Sequence, residues 1–226
     1  MPLLVNLHGH HRGIMNKLRS IFVNNRFFFA GFLFFFLVGL FFLVYEGKAA
    51  SFFYLNPYHR TPLDVFFINF TYLGDGLFSV GVIIILLVLR RFSPAIQVLI
   101  AFLASALFAQ LLKNLFSMPR PKEFFAPGQY SYFIEGVTRV GFSSFPSGHS
   151  TTVFALATML ALFEKNKKWN ILYLLGALGV GYSRIYLGQH FLGDVLVGSF
   201  IGMLVAVLVY WLYPEKTRPV PGRSIA

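Results

Sequence analysis

Between Phe27 and Tyr45 the chain carries no charged side chain, and an apolar run of that length leaves few folds open. A bilayer core of about 30 Å is crossed by about 20 apolar residues in a helix. Hydrocarbon offers no partner to backbone polar groups, so they must bond within the segment. The run is therefore expected to be a membrane-spanning helix. Its basic flank (Arg12, Lys17, Arg19, Arg26) suits a signal peptide. The apolar stretch outruns a usual signal core, however, and Ala49-Ala50-Ser51 is a poor cleavage site, which favours a retained first span.

The rest of the chain repeats the pattern. Leu63 to Leu89 is too long for one straight span and is broken by Gly74-Asp75-Gly76. It reads as a short interfacial helix, Leu63 to Leu73, followed by most of a second span. Further spans are expected at Pro94 to Phe116, Ser147 to Phe163, Asn170 to Tyr186 and His190 to Tyr213. The expected fold is all-α: one membrane domain over residues 1–226, with six transmembrane helices in a bundle and one interfacial helix. Only 12% of the residues are charged, half the share of an ordinary soluble domain at about 25%. The formal charge of +11 lies mostly in short loops. That distribution fits membrane topology and anionic headgroups and speaks against nucleic acid as a partner. With no cysteine in the chain, disulfides and thiolate metal sites are excluded.

Six spans place both termini on one side. That side collects twelve basic residues: Arg12, Lys17, Arg19, Arg26, Arg90, Arg91, Lys165, Lys167, Lys168, Lys216, Arg218 and Arg223. The other collects seven: Lys48, Arg60, Lys113, Arg120, Lys122, Arg139 and Arg184. Positive charge favours the cytoplasmic side. Residues 1–26 and 214–226 are thus expected to be cytoplasmic tails, and the long 117–146 connection to face outward, in a cell inner membrane. Its aromatic residues, Phe124, Phe125, Tyr130, Tyr132, Phe133, Phe142 and Phe145, read for the most part as an interfacial belt.

Three clusters fall at the outward ends of spans three to six: Lys113 with Arg120-Pro121, Pro146-Ser147-Gly148-His149, and Ser183-Arg184 with His190 and Asp194. Lys113, Arg120 and Arg184 form a set of cations that calls for a multiply charged anion. A phosphoryl group fits, since arginine offers paired planar donors and lysine a point charge. Ser147 and the Gly148 N–H lie where a span begins, and a helix N-terminus is a further anion site. His190 and Asp194 are four apart, so on a helix they share one face. Asp194 would fix the imidazole tautomer, leaving the other ring nitrogen to attack. His149, without such a partner, is placed to protonate the leaving oxygen. The chemistry runs through a phospho-histidine and requires no metal and no cofactor.

Taken together, KxxxxxxRP, PSGH and SRxxxxxHxxxD resemble the signature of the type-2 phosphatidic acid phosphatase superfamily. The resemblance runs from Lys113 to Asp194 and, through the span pattern, over nearly the whole chain. It implies an all-helical core, a metal-free mechanism, and the same roles: His190 nucleophile, His149 acid, Asp194 orienter, with Lys113, Arg120, Ser147, Gly148 and Arg184 on the phosphate. Soluble acid phosphatases and vanadium haloperoxidases share the signature, but the spans argue against both.

The expected activity is hydrolysis of a lipid phosphomonoester or diphosphate, with phosphatidic acid, phosphatidylglycerol phosphate, undecaprenyl pyrophosphate and lipid A as candidate substrates. A lipid phosphotransferase and a non-catalytic transporter or binder of anionic lipids are the alternatives. His8, His10 and His11 read as a tail without metal, and His59 as a loop residue. Lys122, Glu123 and Arg139 are candidate headgroup contacts, and Asp75 reads as a polar break between helices.

Overall fold

The computed structural model describes residues 16–213, and all its regular structure is helical, with no strand among the described residues. A first helix, α1, covers 16–24. It is followed by α2 (Arg26–Leu55), α3 (Thr61–Phe70), a 3-10 turn (Thr71–Gly74), α4 (Gly76–Val88) and α5 (Phe92–Phe116). A one-turn helix α6 (Pro121–Phe124) interrupts the long connection before α7 (Gly148–Phe163), α8 (Trp169–Tyr186) and α9 (Leu192–Leu212). The tail segments 1–15 and 214–226, with His8, His10, His11, Arg12, Lys216, Arg218 and Arg223, lie outside the described residues.

Helices α2, α5 and α9 are each long and apolar enough to cross a membrane. The α3–turn and α4 pair qualifies only jointly, across a 54° bend. Gly74-Asp75-Gly76 makes that bend, and the Asp75 side chain accepts from Leu77 N–H at 2.8 Å, capping α4. Neither half suffices alone, since 13 residues of α4 reach only about 20 Å. The expected six spans thus reduce, by length and composition, to three helices plus one bent pair. Helix α7 falls short because it has 16 residues and is enriched in Ser and Thr. Helix α2 continues past Tyr45 to Leu55 through Gly47, whose φ of 78° suits glycine and kinks the helix.

Helix α7 is the hub. Twelve of its residues are buried, and it packs on α4, α5, α8 and α9. The α7–α9 seam is the closest: a Cβ on Gly198 would stand 2.6 Å from Ser147 O, and one on Gly202 would collide with Thr151 O. Small residues let the two backbones meet, as the Gly198/Gly202 spacing suggests.

The basic segments gather at one end of the bundle. Lys17 Nζ donates to Tyr213 O at 3.0 Å, and Lys167 Nζ to Asn25 Oδ1 at 2.8 Å. Arg91 and Lys165 line one cleft at the same end. The three motif clusters lie at the opposite end.

Candidate active site

Lys113 occupies the last turn of α5, which ends where Ser117 takes a left-handed φ of 43°. Its Nζ donates to Ser143 O at 2.7 Å. Arg120, buried at the start of α6, binds both halves of the surrounding loop. Its Nη1 donates to Gln189 O at 3.0 Å and Gln189 Oε1 at 3.1 Å, while Nη2 donates to Ser143 O and Oγ at 3.3 Å.

Ser147 caps α7, its Oγ accepting from Ser150 N–H and from the Ser150 hydroxyl. Its own N–H donates to Asp194 O at 3.0 Å, joining the second motif directly to the third. A Cβ on Gly148 would meet nothing within 4 Å, so a ligand can approach that stretch of backbone. His149 stands in the first turn of α7 against the bend, where a Cβ on Gly74 would touch the His149 carbonyl oxygen and Cβ.

Arg184 ends α8 and is buried, with Nη1 donating to Thr71 Oγ1 at 2.7 Å and Nε unpartnered. Its carbonyl accepts from the N–H groups of Gln189 and His190, closing a tight turn at Gly188, whose φ is 62°. That turn sets His190 before α9 begins. The expectation that His190 and Asp194 share a helix face is thereby corrected: Phe191 is the N-cap, extended at φ −82° and ψ 164°. Asp194, three residues into the cap, reaches back to accept from Phe191 N–H at 3.0 Å. Its Oδ2 faces His190 Nδ1 at 3.5 Å, the outer limit of a hydrogen bond, and accepts the Ser144 hydroxyl at 2.5 Å. Burial pushes the His190 pKa down, opposed by the nearby Asp194 carboxylate, which favours the neutral ring.

The fold therefore brings all eight sequence-expected residues to one end of α5, α7, α8 and α9. It adds Thr71, Ser143, Ser144 and Gln189, which spacing did not single out. Glu123, Lys122 and Arg139 are exposed on the same connection. The loop's aromatic residues divide: Phe125 and Tyr130 are buried against Phe52 and Phe191 rather than forming a belt, while Phe124, Tyr132 and Phe142 are exposed. His59 is a half-buried clasp, stacked between Tyr186 at 4.2 Å and Tyr132 at 5.4 Å. Asp64 and Asn56 oxygens face its two ring nitrogens at 3.0 and 2.9 Å.

No group of three or more His, Cys, Asp or Glu able to hold a metal occurs among the described residues. The arrangement can bind a compact anion between cations and a helix N-terminus while presenting a neutral imidazole to it.

A family model described as the PAP2 superfamily matches residues 94–218. Lipid A 4'-phosphatase of Porphyromonas gingivalis is 31% identical over 185 residues, covering 75% of this chain and 74% of that protein. Lipid A 1-phosphatase of Rhizobium etli is 34% identical over 109 residues, which span only 46% of its own length. Among solved structures, Aquifex aeolicus LpxE is similar with a TM-score of 0.65 at 30% identity, over 72% of this chain and 94% of that one.

Proposed function

The chain belongs to the PAP2 superfamily, and from that premise we propose that it is a metal-independent integral membrane phosphatase acting on a lipid phosphomonoester or diphosphate. The observation that carries the reading is the turn from Arg184 to His190. It buries a guanidinium with a free Nε and an imidazole on one turn, and the carboxylates whose charge acts on them are Asp75 on Arg184 and Asp194 on His190. A phosphoryl group supplies the missing partner.

In the proposed mechanism, Lys113, Arg120, Arg184, Ser147 and the Gly148 N–H hold the equatorial oxygens of the transferring group. Asp194 keeps the proton on His190 Nδ1, so Nε2 attacks phosphorus. The bond to the lipid oxygen breaks as His149 donates a proton to that oxygen. Water then attacks the phospho-histidine, giving up a proton to His149, and inorganic phosphate leaves with His190 restored. The cations offset the charge spread over the equatorial oxygens in both steps.

For topology, we propose six spans, with the α3–α4 pair as the second and α3 near the membrane surface. Helix α7 crosses within a sheath of its neighbours, and α8 crosses with one face exposed. The end bearing Arg91, Lys165 and Lys167 faces the cytoplasm, and the site, under the 117–146 connection, faces outward from an inner membrane. The named activities of the relatives support a lipid phosphate as substrate. Phosphate release from purified phosphatidic acid, phosphatidylglycerol phosphate, undecaprenyl pyrophosphate and lipid A tests the reading, which fails if wild-type protein releases none. A transporter of anionic lipids would leave the His190–Asp194 pair without a task.

A further inference from the structure

Resting on that reading, we infer that Arg139 is a specificity residue for a second phosphate, and that the substrate class is a lipid diphosphate cleaved at its terminal phosphoryl group. Arg139 sits on a segment fastened to the site from both sides. Thr138 Oγ1 donates to Leu187 O at 3.0 Å, and Gln189 Nε2 donates to Val137 O, so the preceding residues are tied to the turn that carries His190. Two residues beyond, Gly141 O accepts from Arg120 N–H at 2.9 Å. These ties hold the backbone at Arg139 beside the site, near enough for its charge to act on Arg120, Arg184 and His149.

Four other cations near this rim have partners, and Lys122, which has none among the described residues, lies on α6 outside the fastened segment. Lys113 and Arg120 bond the Ser143 carbonyl, Arg184 bonds Thr71, and Lys48 lies over the rings of Phe124 and Phe191 at 4.8 and 4.2 Å. Arg139 is exposed and has no hydrogen bond or ion pair to a described residue. Holding a fourth cation beside three others, with no carboxylate of its own, is unfavourable unless a ligand supplies charge. A phosphomonoester brings about −1.5 to −2 at neutral pH, which Lys113, Arg120 and Arg184 already match. A phosphate bonded to the transferring one adds the charge that Arg139 lacks, at the site's mouth where the lipid must leave. As the bridging P–O bond breaks, that group departs as the lipid monophosphate, and Arg139 stabilises the charge gathering on it.

The test measures kcat/KM in detergent micelles for a polyprenyl diphosphate and the polyprenyl monophosphate of equal chain length. Arg139→Gln should lower the diphosphate-over-monophosphate preference about tenfold, the scale of one charge-assisted contact. Lys122→Gln, on the same rim but outside the fastened segment, should keep the wild-type ratio. Equal losses on both lipids, no change in ratio, or the same shift in Lys122→Gln would each overturn the inference. Binding of the two lipids to His190→Ala protein, with and without Arg139→Gln, separates this inference from the reading beneath it. If wild type releases phosphate from neither lipid nor from any of the four tested above, the phosphatase reading fails. The Arg139 assignment then stands on a selective loss of diphosphate binding and falls without it.

Discussion

The Ser144 hydroxyl donates to Asp194 Oδ2 at 2.5 Å, so the same carboxylate oxygen that faces His190 is held from a different segment of the chain. Hydrogen bonds to charged groups contribute about 1.5–3 kcal/mol. Ser144→Ala should therefore cut kcat about ten- to a hundredfold while KM changes little, since the carboxylate loses its aim and not its charge. Asp194→Asn should cost on the order of a hundredfold or more through the wrong tautomer. Steady-state kinetics of both variants checks the ranking, and a Ser144→Ala enzyme at full rate would remove Ser144 from the machinery.

His190→Ala should abolish turnover while lipid still binds, because the cations proposed to hold phosphate come from α5, α8 and the connecting loop. The measurement pairs phosphate release with lipid binding on the same purified preparation. Full activity in that variant would sink the nucleophile assignment.

Metal removal should change nothing. With neither a carboxylate cluster nor a thiolate near the phosphate cations, excess chelator should leave phosphate release at its initial rate. Vanadate, able to imitate a five-coordinate phosphoryl group, should inhibit. Activity lost in chelator and restored by a divalent ion would overturn the metal-free mechanism.

Sidedness can be read by chemistry in cells. Gln129 and Asn166 are both exposed and lie toward opposite ends of the bundle. A cysteine at Gln129 should react with an impermeant thiol reagent in intact cells, and one at Asn166 only after permeabilisation. The chain has no cysteine of its own to add background. The reverse pattern would turn the enzyme toward cytoplasmic-leaflet lipids.

The α7–α9 seam gives a stability prediction. Gly202→Val forces Thr151 O and Ala155 N away from α9, costing about 1–3 kcal/mol by overpacking. Gly81→Ala, where an added Cβ meets nothing within 4 Å, should be neutral or slightly stabilising. Thermal unfolding in detergent should separate the two by several degrees, and equal Tm values would contradict the packing.

The motif residues were legible because each sits at a helix end, where hydropathy changes abruptly and polar side chains stand out. Helix bounds at Phe116, Phe163 and Tyr186 were legible for the same reason. The setting of His190 was not. An i, i+4 spacing describes one helical turn and also a residue just before an N-cap reaching the third residue inside, and only Gly188's positive φ and the extended Phe191 decide between them. Thr71, Ser144 and Gln189 were hidden because nothing local distinguishes them; their partners are 113, 50 and 69 residues away. His59 read as a loop residue since its clasp depends on Tyr132 and Tyr186, contributed by distant segments.

Helix α7 has a consequence for how such a chain is made. It carries Ser150, Thr151, Thr152 and Thr158 into the bundle, the last with a buried hydroxyl lacking a partner. Until α9 has been synthesised, no glycine seam covers the Ser147–Thr151 face, and a 16-residue segment of this polarity gains little from lipid alone. Under the proposed topology, stable insertion of α7 is expected to depend on α9. A nascent protein cut short before α9 loses His190 and Asp194, and also the seat that holds His149 in the membrane.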